Sequence, residues 1–132
     1  MRHPQPVKAE LRAFGGGAYT AEDLFRFARA LRTAKLVRRD LTDTITTGKV
    51  DIGEGAPVTY GFGFYEQKME GSRIVGHPGS NPDTGHDADV EMVWDGEWTV
   101  VVLSNYDAPA GMQMEAPILA LLAQQTALAK KR

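Results

Sequence analysis

Cysteine is absent from this chain. Its absence excludes disulfides, thiolate metal sites and a cysteine nucleophile, without fixing a compartment. A dominant charge is also missing. Fifteen basic residues stand against 17 acidic ones, for a formal net charge of -2 and a pI near 5.9, so no global field draws the protein to nucleic acid or an anionic membrane. No apolar run approaches the ~20 residues of a membrane helix. Met1-Arg2-His3-Pro4-Gln5-Pro6 has no apolar stretch after its charges, so no signal peptide is expected. Internal repeats are absent too. What is there, 42% hydrophobic and 24% charged in 132 residues, suffices for one globular domain with a real core.

Residues 1–14 combine two prolines with scattered charge and read as a flexible tail or linker, leaving 15–132 as the domain. Gly15-Gly16-Gly17 permits an unusual backbone path. Thr20 with Asp23 three residues on is close to a capping box, and Leu24, Phe27, Ala28 and Leu31 form a helical apolar stripe. A second short helix is expected from Asp40 through Thr47, ended by Gly48. Tyr60 to Tyr65 alternates aromatics with glycines, which predicts a strand with Tyr60, Phe62 and Phe64 on one core-facing side. Lys68–Ser72 reads as a turn and Arg73–His77 as the returning strand. Ala88, Val90, Met92 and Trp94 alternate with Asp89 and Glu91, the pattern of a half-buried strand. Asp95-Gly96 suggests a two-residue hairpin turn with positive φ. Trp98–Leu103 suits a central strand, and a last helix is expected over Ala116–Ala129 with Pro117 in its first turn. Its Ile118, Leu119, Leu121 and Leu122 are too broad for a coiled-coil seam and suit packing on a sheet.

Four segments in this order resemble the C-terminal part of the serine β-lactamase, penicillin-binding-protein and esterase superfamily, in its class C-like branch. They are Gly16–Leu24 with Phe27, Tyr60-Gly61-Phe62-Gly63-Phe64, Val75-Gly76-His77-Pro78-Gly79 and Val100–Asn105. The resemblance spans about residues 15–122. It implies an acyl-serine mechanism without a cofactor, served by Ser-x-x-Lys, Tyr-x-Asn or Ser-x-Asn, and a Lys-Thr-Gly or His-x-Gly strand. Only the third is present, as His77-Pro78-Gly79. By resemblance, His77 would bond near the relay tyrosine, Gly79 would let substrate approach closely, and the Ser80 N–H would be an oxyanion donor.

The other two motifs are missing. Ser72, Ser80 and Ser104 are followed three residues later by Val75, Asp83 and Asp107. Tyr19, Tyr60, Tyr65 and Tyr106 are followed two residues later by Ala21, Phe62, Gln67 and Ala108. The family places both motifs upstream, so a truncated chain is the simplest account and a degenerate, non-catalytic module the alternative. Within the retained part, Pro78 removes a backbone donor from the substrate-facing strand, and the loop from Ser80 to Gly85 is longer than a short glycine link.

Blander explanations compete at each remaining feature. His77 alone is equally a surface histidine at a strand end. His86 with Asp83, Asp87 and Asp89 lacks ligand spacing and reads as a solvated loop, so no metal site is expected. Gly15–Gly17 has no following Gly-Lys-Ser/Thr and reads as a hinge, not a phosphate loop. Arg26, Arg29, Arg32, Lys35, Arg38 and Arg39 drift around a helix among acids, a solvated face. The expectation is therefore an α+β fold with an antiparallel sheet of about four strands and flanking helices. The resemblance implies a parent that hydrolyses a small-molecule amide, ester or β-lactam, acts on neither nucleic acid nor membrane, and is periplasmic or secreted. This chain alone should be silent, or a stand-alone binding module. With the family's N-terminal strands missing, strand 98–104 should be an apolar edge through which two chains pair, unless Val7–Phe14 folds back as a surrogate strand to cover it.

Overall fold

The computed structural model describes residues 17–53, 57–81 and 85–131. The expected tail at 1–14 lies outside the described residues. Helix α1 spans Ala21–Arg32 and opens on the anticipated capping box. The Thr20 hydroxyl accepts the Asp23 N–H at 3.1 Å, and the Asp23 carboxylate accepts the Thr20 N–H at 3.2 Å, satisfying two otherwise orphaned donors. Helix α2 covers Arg39–Thr46, one residue earlier at each end than expected.

Six strands follow: β1 Val50–Asp51, β2 Val58–Tyr60, β3 Tyr65–Met69, β4 Ser72–Asn81, β5 His86–Val93 and β6 Trp98–Ser104. They form one antiparallel meander in chain order. A 3-10 turn at Trp94–Gly96 joins β5 to β6, and α3 runs over Ala110–Ala129. The class is α+β as expected, with six strands in place of about four.

Several local expectations are corrected. Tyr60–Tyr65 is not one strand but the tip of the β2–β3 hairpin, closed by the Gly61 N–H donating to the Phe64 carbonyl at 2.8 Å. Gly63 at φ 86° supplies the positive angle this turn requires. Phe62 therefore faces solvent, while Phe64 packs on the core. The β5–β6 link places its positive φ at Glu97, not at Asp95-Gly96. Helix α3 starts six residues before the expected Ala116, so Pro117 is interior. Met112 and Met114 of the extra turn are good helix formers that the apolar-stripe criterion passed over.

Strand alternation divides the core into two layers. Val75 and Met92 pack with Ala28 and Leu31 of α1, joined by Val37, Ile45, Phe64, Val90 and Trp94. Their neighbours Ile74 and Val93 point the other way, to Val100 of β6 and Leu119 and Ala123 of α3. Strands β4 and β5 are thus covered on both faces. Truncating fully buried Ile74 to Ala should cost about 2–5 kcal/mol. Within the α1 stripe Phe27 is 48% exposed, because α1 meets the sheet through the smaller Ala28 and Leu31. Arg73 ties α2 to the sheet: it bonds Glu66 and the Thr46 carbonyl and lies 4.9 Å from the Trp94 ring. Burial pushes the Glu66 carboxyl up, but bonds from Arg73 and the Gly48 N–H outweigh it and hold it below its usual range.

On its far side β6 has no strand partner among the described residues. It is an edge, not the central strand its composition suggests. No described helix is long and apolar enough to cross a membrane.

Candidate functional site

Strand β4 carries the expected site segment. Strand β3 accompanies it only as far as the Tyr65–Gly76 pair. Beyond that point His77–Asn81 pairs with β5 and has no neighbour on the other side among the described residues. The free edge offers backbone groups to an extended ligand, with one donor missing at Pro78.

His77 is exposed at the start of this free edge. Its Nδ1–H donates to the Pro78 carbonyl, which in the neutral ring leaves Nε2 as acceptor. Facing Nε2 is the Tyr60 hydroxyl at 3.4 Å. The Tyr65 ring lies 5.0 Å from the His77 ring and 4.7 Å from Tyr60. The β2–β3 hairpin thus builds a three-ring cluster around His77. The glycine-aromatic run was legible as special, but as a strand it could not be aimed at His77.

Gly79 and Ser80 are also exposed on β4. Strand parity separates them functionally from His77, because positions 77 and 80 point to opposite faces. The Ser80 side chain lines the cleft beside α3, so His77 cannot act as its base. Ser72 is fully buried and donates to the Ala123 carbonyl at 3.3 Å. Ser104 accepts the Tyr106 N–H at 3.0 Å. Lys130, at the end of α3, pairs with Asp95 at 2.8 Å. None of these arrangements provides an activated serine.

The acids of β5 depart most from the sequence reading. Asp87 and Asp89, expected on a solvated loop, are each 6% exposed and Glu91 is 8% exposed. They share the α3-facing side of β5 with Val93, and Glu115 of α3 is 5% exposed against them. Burial raises the Asp89 carboxyl, and Asp87 raises it further. Burial, with Asp89 and Glu115 nearby, pushes Glu91 up to about 8. Burial and Asp89 push Glu115 up to about 7. The missed signal was the pairing of a strict Asp87-x-Asp89-x-Glu91 alternation with Glu115, an acid in the stripe Gly111, Glu115, Leu119, Ala123.

The remaining candidates resolve locally. Asp83 and the first two glycines of 15–17 lie outside the described residues. Among the described residues no group of three His, Asp or Glu side chains converges to hold a metal ion. Arg26 pairs with Glu22 at 2.6 Å and Arg38 with Asp40 at 2.9 Å. Arg32 donates to the Trp98 carbonyl at 3.2 Å and Arg39 to the Arg32 carbonyl at 2.7 Å. These arginines serve helix ends and local pairs.

No curated protein matches the chain. Among solved structures, a D-stereospecific amidohydrolase from Streptomyces sp. is similar, with 30% identity and a TM-score of 0.57 over 65% of this chain. The similarity covers 25% of the amidohydrolase, so this chain corresponds to about a quarter of that protein's length. A model of the Beta-lactamase family matches residues 1–125, nearly the whole chain. With its meander sheet, the His77-Pro78-Gly79 edge and that match, the chain belongs to the β-lactamase family.

Proposed function

We propose that this chain is the C-terminal portion of an acyl-serine hydrolase of the β-lactamase, D-Ala-D-Ala peptidase or esterase type, and that it is catalytically silent alone. The carrying observation is the state of its serines: none has a lysine three residues on, and among the described residues no base is paired with any of their hydroxyls. An unactivated serine is a poor nucleophile at neutral pH. In this proposal the open edge of β4 is the wall against which an amide, ester or β-lactam substrate lies. His77 orients a hydroxyl near the reacting carbonyl, Gly79 allows close approach, and the Ser80 N–H helps to hold the developing oxyanion. The similarity to an amidohydrolase supports amide substrates for the parent.

The β6 edge extends the proposal to partners. Val100–Leu103 carries backbone groups unpaired by any described strand, and a second copy of the chain can pair there. A stand-alone, non-catalytic binding module remains the second reading, and the buried acids under α3 favour it. Assays with nitrocefin, a nitrophenyl ester and a D-aminoacyl amide test whether the chain is silent. The proposal expects no turnover above buffer. Saturable turnover abolished by replacing one serine would overturn it.

A further inference from the structure

Beside α3, on the face of the sheet away from α1, lies a cleft of about 470 Å³. Its polar floor is Asp89, Glu91 and Glu115, and its apolar walls include Met69, Met112 and Leu119. The three acids are 6%, 8% and 5% exposed, and among the described residues no lysine or arginine pairs with any of them. Asp89 Oδ1 and Glu115 Oε1 are buried without a hydrogen-bond partner. A buried acceptor left unpaired costs about 1–3 kcal/mol, more when charged, and such a cost persists where a ligand relieves it.

We propose that this cleft binds a cationic group on an apolar stem, an ammonium or guanidinium carried by an alkyl or aryl body. Among the described residues no group of three His, Asp or Glu side chains converges to hold a metal ion, so an organic cation suits these acids better than a metal. Several N–H donors on one planar or tetrahedral head match several separated acceptors. Gly76 makes the arrangement possible, since a Cβ there would collide with the Glu91 carboxylate and the Val90 carbonyl. The apolar walls then take the stem, as in most small-molecule sites.

The cation is a free small molecule. The test titrates benzylamine, with benzyl alcohol as the neutral control, into the whole chain followed by NMR. It is repeated on Asp89→Asn/Glu115→Gln, whose neutral isosteres relieve the buried charge and so preserve the fold. Saturable benzylamine binding, about tenfold tighter than benzyl alcohol and weakened about tenfold in the double variant, is expected. Absence of benzylamine binding in the unaltered chain would overturn the proposal. So would binding that the Asp89→Asn/Glu115→Gln change leaves untouched. Neither failure bears on the serine-hydrolase proposal, which rests on the unactivated serines and the free edge of β4.

Discussion

Asp87 of β5 places its Oδ2 2.7 Å from the backbone N–H of Gly111, so a strand carboxylate caps the first turn of α3. The helix has no side-chain cap of its own at Pro109, and a carboxylate at this end also meets the positive pole of the helix dipole. Asp87→Ala should therefore cost about 1–2 kcal/mol, read as a lower urea midpoint at unchanged slope. An unchanged midpoint would refute the cap.

Stability should fall as pH rises from about 5 to about 8. Glu91 and Glu115 are raised to about 8 and about 7 from an ordinary 4.5. In that window the folded chain holds protons that the unfolded chain has released, so unfolding becomes easier with rising pH. Each pH unit of displacement corresponds to about 1.4 kcal/mol. Glu91→Gln should flatten the profile and raise stability at pH 8. A profile that climbs over this range, or one that Glu91→Gln does not alter, contradicts the buried-acid geometry.

How much of this was legible in the sequence depends on the range of the interaction. The Thr20–Asp23 box and the two-residue periodicity of β5 are local, and both were readable from neighbours alone. The acidic face of β5 carried the right period, but its burial depends on α3, which crosses it from 24 residues away at the Asp87–Gly111 contact. Periodicity says which residues share a face, not which face is covered. Tyr60–Tyr65 failed for another reason: alternation is common to a strand and to a hairpin tip, and only Gly63 at positive φ separates them. The site strand was legible by resemblance through His77-Pro78-Gly79. Its free edge was not, since that depends on where β3 ends.

His77 should matter to chemistry and hardly to folding. It is exposed, and among the described residues its ring meets only Tyr60, Tyr65 and the Pro78 carbonyl. In this chain His77→Ala should change stability by no more than ~0.5 kcal/mol. In a longer parent that carries the serine–lysine and tyrosine motifs, the same change should lower kcat by on the order of 10²-fold. Unaltered kinetics in a folded parent would return His77 to an ordinary surface residue.

Self-association through β6 should be visible at micromolar concentrations by sedimentation velocity. Leu103, 43% exposed on that edge, offers a probe: Leu103→Lys places a charge on the edge and should shift the population to monomer. A monomer whose Val100–Leu103 amides exchange slowly in the unaltered chain would show that the edge is already covered.

The central claim is that a β-lactamase-family chain holding only the His77-Pro78-Gly79 strand cannot acylate itself. Intact-protein mass spectrometry after incubation with a fluorophosphonate and with a penicillin tests it most directly. The expected result is an unchanged mass, with Ser72 shielded by its bond to the Ala123 carbonyl and Ser80 and Ser104 without a base among the described residues. A stoichiometric adduct on Ser72, Ser80 or Ser104 would contradict the account.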